Sequence, residues 1–181
     1  MEPRLGPVHD RVKVESRFPL QPRPGIRYTS GVEDQLLDAY RKTELRFTDD
    51  RGQLWVAGQV DFSPEAPIPW ELPVSFHVIT AWNPHARRLP PSENAERNEA
   101  LRKALAELGA NAGNITGSSP DGTWQEPGFA VVGLTREEAL DIARAYDQIA
   151  IFEVEESVIR VIRVEDGAAL SVRSLGLQQG P

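Results

Sequence analysis

The chain has no cysteine among its 181 residues, and this absence removes several kinds of chemistry. Disulfides, thiolate zinc sites and cysteine nucleophiles all need the missing side chain. No apolar run approaches the roughly 18 residues of a membrane span, and residues 1–30 lack the apolar centre of a signal peptide. These absences predict a cytoplasmic protein that does not insert into a membrane.

Histidine, glycine and serine are present, but not in the arrangements of three common kinds of site. His9, His77 and His85 lack the spacing of a helical metal site, so no metal is predicted. The glycines around Ser118 and Ser119 do not have the spacing of a phosphate-binding loop, and the two serines do not form a nucleophile elbow. We therefore predict no cofactor.

Acidic residues outnumber basic ones by 27 to 20, which gives a net charge of −7 at pH 7. This balance argues against nucleic acid as a partner of the protein body. Residues 1–30 differ, with six basic and three acidic residues. Because residues 1–29 also contain five prolines, we expect a flexible Pro-rich basic arm that is dispensable for folding. The arm is either a solvated tail or a segment that docks the acidic body or an acidic partner.

The pattern of apolar residues divides the rest of the chain into a domain and a tail. We expect residues 30–164 to form a single α+β domain and residues 165–181 to form a flexible tail. From Val74 to Val154 the predicted order is strand, helix, strand, strand, helix, strand, which is the ferredoxin-like βαββαβ order. A helix over Gly31–Lys42 and a hairpin precede it. The predicted fold class is therefore α+β, with a mainly antiparallel sheet and two principal helices.

The starts of the two principal helices are predicted from short motifs. One helix is expected over Ser92–Leu108, with Gly109 ending it. The other is expected over Arg136–Tyr146, because Thr135 and Glu138 have the spacing of a capping box.

The strongest candidate site lies where a predicted strand stops at Trp82-Asn83-Pro84 and the helix at Ser92 begins. Polar residues at the start of this helix continue a face that becomes apolar one turn later. Burying them without partners would cost about 1–3 kcal/mol each, so they are expected to bind something. The predicted ligand-binding residues are Asn83, Asn94, Arg97, Asn98, Trp124, Glu126 and Gln148.

Each of these residues has a functional and a structural interpretation. A helix N-terminus, Arg97 and neighbouring amides suit a carboxylate, a phosphate or the edge of a nucleotide. Trp124 and Glu126 could stack on a ring and bind its edge. Alternatively, Asn94 and Asn98 tie down the loop 83–91, Arg97 pairs with Glu126 or Glu93, and Trp124 and Gln148 serve packing and capping.

The same residues carry a resemblance to a known family. The motifs are Ile79–Pro84, then Ser92, Asn94, Arg97-Asn98 and Leu101, with further matches at Ala39–Thr43, Gly122–Glu126 and Gln148–Phe152. Over roughly residues 35–155 the chain resembles the bacterial family known as domain of unknown function 3293. One departure is Asp147, which stands where the resemblance leads us to expect glycine. The family name implies no activity.

Three classes of function remain open on the sequence. The first is a binding domain for a small polar or anionic ligand, with a nucleotide-like molecule as one example. The second is an enzyme that uses Glu126 or His85 as its acid or base. The third is an interaction protein that docks a macromolecular partner through its arm and acidic body. The first two require Asn83, Asn94, Arg97 and Glu126 to converge in space.

Overall fold

The computed structural model describes residues 30–48, 52–60 and 75–179, so the predicted arm at residues 1–29 lies outside the described residues. The described helices are α1 (Ser30–Lys42), α2 (Pro91–Glu107) and α3 (Arg136–Ala145). The described strands are β1 (Glu44–Thr48), β2 (Leu54–Val60), β3 (Ser75–Ile79), β4 (Asn111–Ser118), β5 (Gln125–Val132), β6 (Ala150–Glu155), β7 (Val158–Arg163) and β8 (Ala169–Gln179). None of the helices in these ranges is both long and apolar enough to cross a membrane.

The strands form one closed antiparallel barrel in the order β1-β2-β8-β7-β6-β3-β5-β4, with β4 pairing back to β1. The expected ferredoxin-like α+β fold is therefore wrong, because that fold is an open sheet. Strands outside the predicted βαββαβ unit pair with its edges: β1 lies along β4, and β7 lies along β6. Closure satisfies the backbone groups that the edges of an open sheet would leave unpaired.

Strand β8 completes the closure. It pairs with β7 through residues 169–174 and with β2 through residues 174–179. This strand lies inside the segment 165–181 that the sequence assigned to a flexible tail. The segment contributes Leu175 to the buried core, where only 1% of the residue is exposed. The glycine and glutamine residues of this segment led the sequence analysis to predict a tail, although Leu175 is part of the barrel core.

Two hydrophobic clusters occupy the two faces of the barrel wall, because successive strand residues point to opposite faces. The barrel core, inside the wall, contains Leu45, Ala57, Phe76, Val78, Ile115, Ala150, Phe152, Val154, Ile159, Val161 and Leu175. The outer core, between the wall and helices α2 and α3, contains Ile79, Ala81, Leu101, Leu105, Phe129, Val131, Ala139, Leu140, Ile142, Ala143, Ile151, Ile162 and Val164. The two helices thus pack outside the barrel.

The helix starts agree with the sequence in one case and differ in the other. The capping box of α3 is confirmed, with Thr135 and Glu138 each bonding the other's backbone N–H. Helix α2 begins at Pro91 instead of Ser92, and its N-cap residue Pro90 supplies no side-chain hydrogen bond. The polar residues in the first turns of α2 are therefore available to the neighbouring loop.

Several chain segments meet at one end of the barrel. Ile79 at the end of β3 lies opposite Phe129, so the segment after β3 runs beside the beginning of β5. Helix α3 ends close to the same segment, because the backbone oxygen of Asp147 accepts a hydrogen bond from His85. This end of the barrel carries the candidate site.

Candidate functional site

The loop after β3 has an unusual backbone. Asn83, His85 and Ala86 adopt φ values of 47°, 53° and 56°, in the left-handed region that favours glycine. A non-glycine residue in this region costs roughly 1–2 kcal/mol. Three such residues within four positions persist only because the surrounding contacts hold them.

Asn94 supplies the main contacts that hold this loop. It is 1% exposed, and its Oδ1 accepts a hydrogen bond from the Asn83 backbone N–H at 2.8 Å. Its Nδ2 donates to Asn83 Oδ1 at 2.9 Å and to the Leu89 backbone oxygen at 3.3 Å. Asn83 Oδ1 also accepts from the Leu89 N–H at 3.1 Å. The Asn94 carboxamide is therefore fully engaged within the protein.

Arg97 bonds to backbone oxygens on two different elements. Its Nε donates to the Ala81 oxygen at 3.0 Å, and its Nη2 donates to the Tyr146 oxygen at 2.8 Å. Nη2 also lies 3.6 Å from Asp147 Oδ2. Neither of the carboxylates predicted as partners of Arg97 is in contact with it. The guanidinium instead joins the loop after β3 to the end of α3.

The remaining polar residues of α2 and the α3–β6 connection support the same segment. Asn98 Oδ1 accepts a long hydrogen bond of 3.4 Å from the Ala81 N–H. Gln148 Nε2 donates to the Trp82 oxygen at 3.0 Å. Asp147 lies beside His85, with 3.5 Å between its Oδ1 and His85 Nε2. Asp147 itself has φ of 57°, which explains why the family resemblance leads to glycine at this position.

Glu126 differs from the other predicted residues. It lies within β5, and its Oε1 accepts a hydrogen bond from Asn83 Nδ2 at 2.6 Å. No lysine or arginine of the described residues pairs with it. Burial raises the pKa of this carboxyl from 4.5 to about 7, although the hydrogen bond from Asn83 lowers it. The group is therefore close to half ionised at neutral pH.

Trp124 lies next to the strand position that faces Glu126. Gly117 is the cross-strand partner of Glu126, and residues paired in this way share a face of the sheet. A Cβ built on Gly117 would lie 3.9 Å from the Trp124 ring atom Cζ3. The indole thus covers the glycine beside the Glu126 carboxyl.

Close packing on the other side of Glu126 requires a second glycine. A Cβ on Gly128 would lie 2.7 Å from the Ile79 oxygen, a distance too short for any side chain. This approach lets Thr80 Oγ1 donate to the Pro127 oxygen at 2.7 Å. Gly128 therefore fixes the distance between β5 and the loop that carries Asn83.

The structure brings most of the predicted site residues to one short segment, Ala81–Asn83. Asn83, Asn94 and Glu126 are joined directly, whereas Arg97, Asn98 and Gln148 reach backbone atoms of the segment. Sequence reasoning missed Asp147 as a partner of Arg97, and the departure from glycine at that position was the available signal. The role of these residues in ligand binding stays a prediction.

A second polar cluster lies on the outer face of the barrel wall. Glu153 is 6% exposed and receives two hydrogen bonds from Arg136, at 2.6 and 2.7 Å, and one from Arg160 at 3.3 Å. The hydrogen bonds from Arg136 hold the pKa of Glu153 below its usual value, whereas burial lowers the pKa of His77 beside it. Within the described ranges, no three acidic or histidine side chains are arranged to hold a metal ion.

Residues 79–151 match the model of a family described as protein of unknown function (DUF3293). This range begins in β3 and ends in β6, and it includes every residue of the candidate site. The resemblance found in the sequence motifs is thereby confirmed. Comparisons with curated proteins and with solved structures give no match.

Proposed function

We propose that the protein binds a small polar ligand at the end of the barrel where Asn83 meets Glu126. The observation that carries this proposal is the state of Glu126, a mostly buried carboxyl with one hydrogen bond and no cationic partner among the described residues. Burying such a group costs free energy that a single hydrogen bond offsets only in part, and proteins retain costs of this kind where they serve function. Binding sites are a common location for this cost.

Glu126 has hydrogen-bonding capacity that its neighbours lack. Asn94 and Arg97 are engaged with the loop, and both polar atoms of the Asn83 side chain are in use. The second oxygen of Glu126 accepts a hydrogen bond when ionised and donates one when protonated. A ligand with a donor and an acceptor on one edge, such as an amide or a heterocyclic ring, suits this carboxyl, and Trp124 lies nearby for stacking.

An enzymatic role is the second candidate, and the raised pKa of Glu126 favours it. A carboxyl with a pKa of about 7 transfers protons efficiently near neutral pH. His85 lies beside Asp147 in the loop that also carries Asn83, and it would be the complementary group. The interaction-protein alternative depends on the arm, which lies outside the described residues.

A thermal-shift screen with a metabolite library tests the binding proposal. A ligand at about 100 times its Kd adds roughly 2.7 kcal/mol of stability, which shifts the midpoint measurably. We expect Glu126→Ala to abolish the shift given by any true ligand. Glu96→Ala removes one exposed carboxylate from α2 and should leave the shift unchanged. Ligands that stabilise wild type and Glu126→Ala equally would refute the site.

Glu126→Gln separates binding from catalysis. The amide keeps the shape and one hydrogen bond, but it cannot transfer a proton. If the protein only binds, Glu126→Gln should retain most of the ligand-induced shift. If it also catalyses a reaction, turnover of the bound ligand should disappear while binding remains.

A further inference from the structure

Two adjacent arginines in the strained loop have no partners. Arg87 and Arg88 are exposed, and neither makes an ion pair or side-chain hydrogen bond with another residue. Apart from these two and Arg41, every lysine and arginine in the part of the chain that the structure describes has an interaction partner. In a protein with a net charge of −7, acidic residues to pair with them are plentiful.

The loop holds these arginines in place. The His85 N–H donates to the Asp147 oxygen at 2.8 Å, and the Arg87 N–H donates to the Pro84 oxygen at 3.0 Å. The Leu89 N–H donates to Asn83 Oδ1 at 3.1 Å, so the backbone is fixed before and after the arginine pair. A fixed backbone lowers the entropy that a ligand must remove on binding.

The guanidinium groups lie on the same loop as the Asn83 side chain that bonds Glu126. Arg87 is extended, with φ of −85° and ψ of 119°. The same loop therefore carries both the exposed guanidinium groups and the amide that holds Glu126. A guanidinium makes paired hydrogen bonds with a phosphate group and keeps its charge at any physiological pH.

We propose that the Asn83–Leu89 loop recognises a phosphate group of the ligand through Arg87 and Arg88, in place of the internally engaged Arg97. This inference rests on the proposed function for the choice of ligand, which becomes a small phosphorylated molecule with a polar edge. A small ligand is favoured over a polynucleotide because an acidic body repels a long polyanion.

Nuclear magnetic resonance of the arginine Nε–H groups tests the anion site without knowledge of the ligand. Inorganic phosphate should shift the Arg87 and Arg88 signals at lower concentration than the Arg102 signal, because Arg102 is already paired with Glu99. Arg87→Ala/Arg88→Ala should weaken phosphate binding by about tenfold or more, as expected for loss of charged hydrogen bonds.

The matched control is Arg102→Ala/Lys103→Ala, which removes an adjacent basic pair from the exposed surface of α2. Equal weakening by both double variants would mean that phosphate senses only overall charge, and the proposal would fail. It would also fail if phosphate leaves the Arg87 and Arg88 signals unmoved, or if affinity for single-stranded DNA increases with its length and greatly exceeds affinity for a mononucleotide.

Adenosine and adenosine 5′-monophosphate separate this inference from the proposed function. If adenosine binds through Glu126 and the monophosphate binds no more tightly than adenosine, the proposed function is supported and the anion site is refuted. If Glu126→Ala leaves phosphate binding intact and no metabolite depends on Glu126, the anion site stands and the proposed function falls. If both hold, the monophosphate should bind about tenfold more tightly than adenosine, and the arginine double variant should erase that difference.

Discussion

The Asn83 side-chain amide has only one orientation that satisfies its neighbours, and that orientation directs its Nδ2 at Glu126. Asn83 Oδ1 accepts hydrogen bonds from Asn94 Nδ2 and the Leu89 N–H, so the oxygen cannot face the carboxyl. Nδ2 then donates to Glu126 Oε1 at 2.6 Å. A network that holds the strained loop thus also sets the environment of the one carboxyl proposed for ligand binding.

Glu126 should make stability depend on pH in an unusual direction. Its pKa rises from 4.5 to about 7 on folding, so the folded protein binds the proton more tightly than the unfolded chain. The stabilisation from the protonated form is complete below pH 4.5 and is lost as pH rises to about 7. Glu126→Gln should therefore be more stable than wild type at pH 8, by up to roughly 3 kcal/mol.

Urea unfolding at pH 4.5 and pH 8 measures this difference. The two proteins should have similar stability at the lower pH, because both side chains are then largely neutral. His77, whose pKa is lowered by burial, gives the opposite trend below its ordinary value of 6.5, and it is common to both proteins. A Glu126→Gln variant that gains nothing at pH 8 would show that the carboxyl is well solvated.

Asn94 and Asn98 lie one turn apart on α2 but should differ in their contribution to stability. Asn94→Ala removes three hydrogen bonds around the loop and leaves the Asn83 N–H without its acceptor, at a cost of about 2–4 kcal/mol. Asn98→Ala removes one bond of 3.4 Å and should cost less than about 1 kcal/mol. Equal losses in thermal unfolding would contradict the loop network.

Arg97 and Glu126 should act independently. Arg97→Ala removes bonds to two backbone oxygens and should cost about 1–3 kcal/mol. Because the two residues share no partner, the double variant Arg97→Ala/Glu126→Gln should have the sum of the single effects within about 0.5 kcal/mol. A large coupling energy in this cycle would instead indicate an ion pair between them.

Asp147 offers a test of backbone strain at the site. Both Asp147→Ala and Asp147→Gly lose the carboxylate beside Arg97, but only glycine adopts φ of 57° without strain. The glycine variant should therefore be more stable than the alanine variant by about 1–2 kcal/mol. Indistinguishable unfolding midpoints would mean that the backbone relaxes in the alanine variant.

Gly128 and Gly113 test the close approach of β5 to the loop. Gly128→Ala places a methyl group 2.7 Å from the Ile79 oxygen and should cost about 1–3 kcal/mol. A Cβ on Gly113 meets nothing within 4 Å, so Gly113→Ala should be neutral or slightly stabilising, by about 0.4–1 kcal/mol. The comparison also reports on ligand binding, which only the Gly128 variant should disturb.

The sequence predicts local features of this protein better than its long-range pairing. The capping box of α3 depends on residues three apart, and it was recognised correctly. The closure of the barrel depends on the pairing of strands that are far apart in sequence, such as β2 and β8. The residue pattern within a strand does not indicate which other strand it pairs with. An alternating strand reads the same in an open sheet and in a barrel.

The candidate site also shows this difference between features that the sequence predicts and contacts that it does not. Asn83, Asn94 and Glu126 were expected to converge in space, and the Asn83 side chain bonds both of the other two. Arg97 donates to the backbone oxygens of Ala81 and Tyr146. These contacts could not be predicted from the sequence, because every residue has a backbone oxygen. Only tertiary structure decides which of them a guanidinium reaches.

The pairing of β8 with β2 has a consequence for the order of events as the chain folds. Trp55 lies opposite Gln179, so two neighbours in the barrel wall are 124 positions apart (179 − 55). During synthesis, strands β1 to β7 emerge before β8. Until β8 pairs with β2 and β7, the sheet that these strands form has open edges that can pair with other chains. We infer that closure is the late and slow step, and that nascent chains need protection from aggregation until β8 emerges.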